Sequence, residues 1–150
     1  MNLQLGDISH IIQLAIAPVF LLTGVGTKLS VLTSRLARII DRSRVLEERL
    51  KNASDVEGSE TRAELCTLYQ RAHLINRAIT LSTSCGLLIC SVIAALFIGG
   101  ALKIALGTLI AVLFVLGMFS LIGSFVYLLR EIFVATKIMA LRNIVPSNLR

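Results

Sequence analysis

Charge is absent from this chain over three long stretches. Ile8 to Val25 carries none, and apart from Lys28 none appears before Arg35. Ile79 to Leu102 and Ile104 to Leu129 are equally free of charge. A helix needs about 20 apolar residues to cross a ~30 Å hydrocarbon core, so each run is read as a spanning helix. Strands are a poor alternative, because an open strand in lipid leaves its backbone groups unpaired.

Between the first and second runs the apolar positions change rhythm. Leu29, Leu32, Leu36, Ile39, Ser43, Leu46 and Leu50 alternate steps of three and four, the seam of a two-helix packing. Leu65, Leu68, Ala72, Ile75 and Ile79 repeat it on the way back. A polar turn from Asn52 to Glu60 separates the two arms, with the second helix expected to begin at Ser59 or Glu60. Extended backward, the first seam meets Leu22 and Val25; extended forward, the second meets Ser82 and Gly86. Both helices are therefore expected to run on from their spans without a break.

The fold class that follows is an all-α membrane protein: three transmembrane helices with a cytoplasmic antiparallel helical hairpin between the first and second. Its parts are an outside N-terminal tail and first span (1–29), a coiled-coil hairpin (30–78), the second and third spans with a short outside turn (79–129), and a cytoplasmic C-terminal tail (130–150). No Lys or Arg precedes Lys28, so the first run lacks the basic flank of a signal peptide and is read as a retained anchor.

The 55% apolar content and mean hydropathy of +0.83 agree with a membrane protein of this length. Basic residues decide the orientation. Of 15, ten lie between Lys28 and Arg77 and four after the third run, while the turn between the second and third runs holds only Lys103. The positive-inside rule puts hairpin and C-terminus in the cytoplasm of a bacterial inner membrane, with the N-terminus outside. The net charge of +6 then lies near the membrane surface, where anionic lipid head groups are the expected partner. Nucleic acid is not expected, because acids are interleaved with the hairpin's basic residues and aromatics are scarce there.

Lys28, Arg35, Arg42 and Arg49 share one flank of the first arm, with Glu64, Arg71 and Ala78 expected opposite. In that register Arg49 meets Glu64, and Arg42 faces Arg71 without neutralisation. Asp41 lies three residues from Arg38 and Arg44 and is expected to hold one of them. Arg35, Arg38, Asp41, Arg42, Arg71 and Arg77 thus form the candidate interaction surface of the hairpin. Ile40, Val45 and Leu74 lie off the seams, and one pair of arms cannot bury them all. A homo-oligomer would.

Polar groups inside the runs are mostly hydroxyls. Thr80, Thr83, Ser84 and Thr108 are the candidate lining of a narrow wet path around a shared axis. Ser82, Gly86, Cys90 and Ala94 recur every four residues as a small-residue ridge for close helix approach. Gly107, Gly117 and Gly123 make the third run a packing helix as well. Pro18 is expected to kink the first helix, and Gly24 and Gly26 form a soft packing patch after it.

No catalytic chemistry emerges. His10 and His73 fall on opposite sides of the membrane, and no metal, phosphate-loop or nucleophile motif is present. Cys66, Cys85 and Cys90 are read as small packing residues and not as a disulfide framework. No cofactor or metal is expected, and the chain is read as not an enzyme.

The stretches Ala17-Pro18-Val19-Phe20-Leu21-Leu22-Thr23-Gly24, Leu29 to Arg42 and Leu74-Ile75-Asn76-Arg77-Ala78-Ile79 resemble a bacterial family of small membrane proteins known as a domain of unknown function. The likeness covers essentially the whole chain and implies no activity. The layout of one span, a cytoplasmic helical segment and two further spans is also similar to the ExbB/TolQ/MotA ion-driven motor subunits. That likeness implies a cyclic, pentameric assembly with the second and third spans around a central pore. The Oxa/Get class of insertases shares the coiled coil between the first two spans but uses a polar groove. The function expected is thus a homo-oligomeric channel-like or motor-type subunit, with an insertase or a lipid-organising membrane scaffold as the alternative. Expected partners are copies of the chain itself, anionic lipid and another membrane protein.

Overall fold

The computed structural model describes residues 5–51, 55–102 and 104–144, with side chains described at 9–51, 58–59, 61–102 and 104–136. All three elements are helices: α1 (Leu5–Lys51), α2 (Asp55–Leu102) and α3 (Gly107–Ile144). Each contains a stretch long and apolar enough to cross a membrane. At 1.5 Å per residue the 47 residues of α1 and 48 of α2 each extend about 70 Å, more than twice a hydrocarbon core. The expected run-on from apolar stretch to polar arm is thus present in both. Pro18 lies inside α1 without ending it.

Two boundaries differ from expectation. The connection after α1 is shorter than the Asn52–Glu60 turn, because α2 begins at Asp55. Gly58, read as a turn glycine, is buried beside Leu50. Asn52, Ala53 and Ser54 lie outside the described residues. At the other end, α3 continues past Leu129 to Ile144, so most of the expected tail is helix.

The chain divides into two units. The first comprises Met1–Val31 and Ile79–Ser124. Its core is Val25, Cys85 and Ile89, packed by Leu21, Leu22, Leu29, Ile93, Phe114 and Leu121. A Cβ on Gly86 would make ordinary contact at 3.8 Å with both Leu22 and Val25, whereas one on Gly117 would come within a tighter 3.3 Å of Ile89 Cδ1. Ser120 Oγ donates across to the Leu81 carbonyl at 2.7 Å, a bond between helices and not within one. The four-residue ridge on α2 splits: Ser82 is buried and Gly86 half-buried, whereas Cys90 and Ala94 are exposed. The buried line follows Ser82, Cys85, Ile89 and Val92, which keeps steps of three and four.

The second unit comprises Leu32–Ala78 and Phe125–Arg150. Leu32, Ile39, Ser43 and Leu46 of α1 and Leu68, Ile75 and Ala78 of α2 are buried, on or next to the expected seams. The charge pairing is not the expected one. Glu64 bonds Arg42, at 2.8 Å to Nη2 and 3.2 Å to Nε, and not Arg49. Tyr69 meanwhile reaches Glu47, so long side chains cross the seam diagonally in both directions. The apolar seam leaves such polar partners open, and other contacts choose among them.

Candidate functional site

Those other contacts centre on one acid. Glu131, on the extension of α3, has a fully buried side chain. Its Oε2 accepts from Arg35 Nη1 of α1 at 2.7 Å, and its Oε1 accepts from Arg71 of α2, at 2.7 Å from Nη2 and 3.0 Å from Nε. The expected clash of Arg42 with Arg71 is thereby absent: Arg42 is neutralised by Glu64, and Arg71 is held together with Arg35 on Glu131. One carboxylate ties all three helices of this unit. Both oxygens are used, and the Arg71 fork engages one of them through two donors, a charge-assisted arrangement stronger than neutral hydrogen bonding.

Beside this cluster lies a cavity of about 390 Å³. Arg35, Arg38, Arg42 and Arg71 all contribute to its wall, and Ile39, Leu68 and Ile132 supply apolar surface. Of the remaining hairpin residues, Asp41 is exposed, and Arg77 Nη1 donates to the Tyr127 hydroxyl at 3.5 Å, the limit of such a bond. Tyr69 donates its hydroxyl to Glu47 at 2.7 Å. That hydrogen bond to a carboxylate, reinforced by the carboxylate's charge and slight desolvation, raises the phenol above its ordinary pKa.

In the first unit, Lys28 Nζ donates to Ser124 Oγ at 2.9 Å. Ser82 Oγ is buried with no hydrogen-bond partner among the described residues. Of the hydroxyls singled out as a wet path, Thr80, Thr83 and Thr108 are exposed and Ser84 is half-buried. Thr83 Oγ1 bonds the Ile79 carbonyl of its own helix, as intramembrane hydroxyls commonly do. Pro18 is buried, whereas Gly24 and Gly26 are exposed with open space where a Cβ would be. All three cysteines are free: Cys85 is buried, Cys66 and Cys90 exposed.

Sequence reasoning brought forward Arg35, Arg38, Arg42 and Arg71 as a group, and the structure gathers them. It passed over the residue that organises them. Glu131 is the only acid after Glu64, and it stands two residues past a charge-free run in a chain with a basic surplus. A lone carboxylate among so many cations was the available signal.

Comparison with known proteins adds a family and no activity. A family model described as "Protein of unknown function (DUF2721)" matches residues 15–141. No curated protein and no solved structure matches the chain.

Proposed function

Since the chain belongs to that family of unknown function and carries three helices able to cross a membrane, we propose that it is a non-enzymatic subunit of a homo-oligomeric, channel-like or motor-type assembly in a bacterial inner membrane. The hairpin and C-terminus face the cytoplasm in this reading. Its main support is the exposure of Ile40 (41%) and Val45 (44%) on the arm of α1. Lipid explains exposed apolar residues along the spans, but these two lie well past the apolar run, among Arg38, Asp41, Arg42 and Arg44. Packing against other copies removes them from water. Thr80, Thr83 and Thr108, turned away from the chain's own core, then become available to a shared axis together with Ser84.

The test is the mass of the full-length protein extracted directly into native-lipid nanodiscs. A discrete multimer that falls to monomer in Ile40→Glu/Val45→Glu supports the reading, and a monomeric wild type refutes it. Ion flux through proteoliposomes addresses the channel itself: a leak abolished by Thr80→Trp or Thr83→Trp favours a central path lined by α2.

An insertase-like or scaffold role is the second reading, favoured by the Lys28–Ser124 contact and the buried Ser82 hydroxyl among otherwise apolar helices. It requires client helices to crosslink at positions near Thr23 and Lys28.

A further inference from the structure

The cavity in the second unit is more basic than its fold requires. Four arginines line its wall, and no Asp or Glu does among the described residues. Glu131 satisfies Arg35 and Arg71, and Glu64 satisfies Arg42. Arg38 forms no ion pair among the described residues, yet it lines the same space. Two carboxylates set against four guanidiniums leave two positive charges beside one open cavity.

The carboxylates also do a second thing. Each pins an arginine by one edge of its planar fork, which fixes the group while leaving further N–H donors. Arginines held in this way have already lost the rotamer freedom that a ligand would otherwise cost. Thr136 lines the wall as well, with its hydroxyl donating to the Ile132 carbonyl of its own helix. Donors converging on a pocket with a double positive charge suit an oxyanion of matching charge, and phosphate is such a group, matched by guanidinium forks.

The remainder of the wall is apolar, from Ile39, Leu68, Ile132 and Ala135. A free ion gains nothing from such surface, whereas an organic phosphate does. Along α3 the wall begins at Ile132, three residues beyond the charge-free run that ends at Leu129. At 1.5 Å per residue, Ile132 to Thr136 lie about 5–10 Å past that run. Head groups occupy roughly the same layer outside the hydrocarbon core.

We propose that the cavity between Arg35, Arg38, Arg42 and Arg71 is a binding site for a phosphate group, of the kind carried by an anionic lipid head group or a soluble phosphate. This site goes beyond the oligomeric reading and does not depend on it.

Arg38→Gln tests it, because that change removes a wall cation and leaves both Glu131 and Glu64 paired. Arg62→Gln, exposed and outside the wall, is the control. Full-length protein in phosphatidylcholine nanodiscs is titrated with phosphatidic acid in one arm, read by native mass spectrometry. In the other arm it is titrated with inorganic phosphate and pyrophosphate, read by calorimetry. Loss of one charge-assisted contact predicts weakening of about tenfold in Arg38→Gln, an intermediate loss in Arg38→Lys and none in Arg62→Gln. Saturable, Arg38-dependent binding in the lipid arm identifies a head-group site; the same behaviour in the soluble arm identifies a free phosphate. No saturable binding in either arm overturns the proposal, as does equal weakening by Arg38→Gln and Arg62→Gln or wild-type binding by Arg38→Gln. Helical circular dichroism of each variant checks that the fold is retained, and Arg38→Lys carries the test if Arg38→Gln does not fold.

Discussion

Replacing Glu131 by alanine is the most direct probe of how the second unit is held. The carboxylate is fully buried and accepts three hydrogen bonds from two guanidiniums. Removing one partner of a buried ion pair costs about 3–5 kcal/mol, chiefly because the other charge is left uncompensated. Here the arginine side chains keep 37% and 25% of their exposure, so water recovers part of that loss. The expected destabilisation is therefore about 2–4 kcal/mol. For a chain of this size that lowers the melting temperature by roughly 5–15 °C. Glu131→Gln, which keeps the volume and an acceptor but not the charge, is expected to fall between. The triple change Arg35→Met/Glu131→Leu/Arg71→Met removes every charge of the cluster at similar volume and should melt close to wild type or above it. The assay is thermal circular dichroism of the full-length protein in nanodiscs, since the chain has no tryptophan to follow. Two results refute the reasoning: Glu131→Ala melting with wild type, or the triple variant melting below Glu131→Ala.

Ser82→Ala removes a buried hydroxyl with no partner among the described residues, and its unpaired burial costs about 1–3 kcal/mol. After the lost packing is counted, we expect a gain of up to about 1 kcal/mol in the same melts; a clear loss contradicts the assignment. Tyr69 is expected to titrate above its ordinary value of 10.0, because the Glu47 carboxylate holds its proton. A group whose pKa is raised on folding contributes stability that is fully present below the unfolded value and lost as pH rises through the folded one. The Tyr69–Glu47 contact should therefore weaken only above about pH 10. Phenolate absorbance, compared between wild type and Tyr69→Phe, reads the midpoint, and Glu47→Gln should bring it down toward 10.0.

Much of the architecture was legible along the chain. Charge-free runs marked three helices, and steps of three and four from Leu22 to Leu50 marked the side of α1 that is buried or half-buried. Arg35, Arg38, Arg42 and Arg71 stood out as one basic group, and they share a cavity. Other features misled for local reasons. The polar stretch after Lys51 reads as a long turn, yet α2 already begins at Asp55. Cys90 and Ala94 extend a ridge of four-residue steps, which drifts off the buried face of a 3.6-residue helix, and they remain exposed.

Helix identity and buried face were determined by the sequence itself, because both depend on residues three and four apart. Charge pairing was decided by the tertiary structure. Glu131 lies 96 residues from Arg35 and 60 from Arg71, and no periodicity links positions so distant. Only when α3 docks beside the other two helices does a carboxylate come to lie between two arginines. The same docking turns a scattered surplus of positive charge into a cavity with a defined wall.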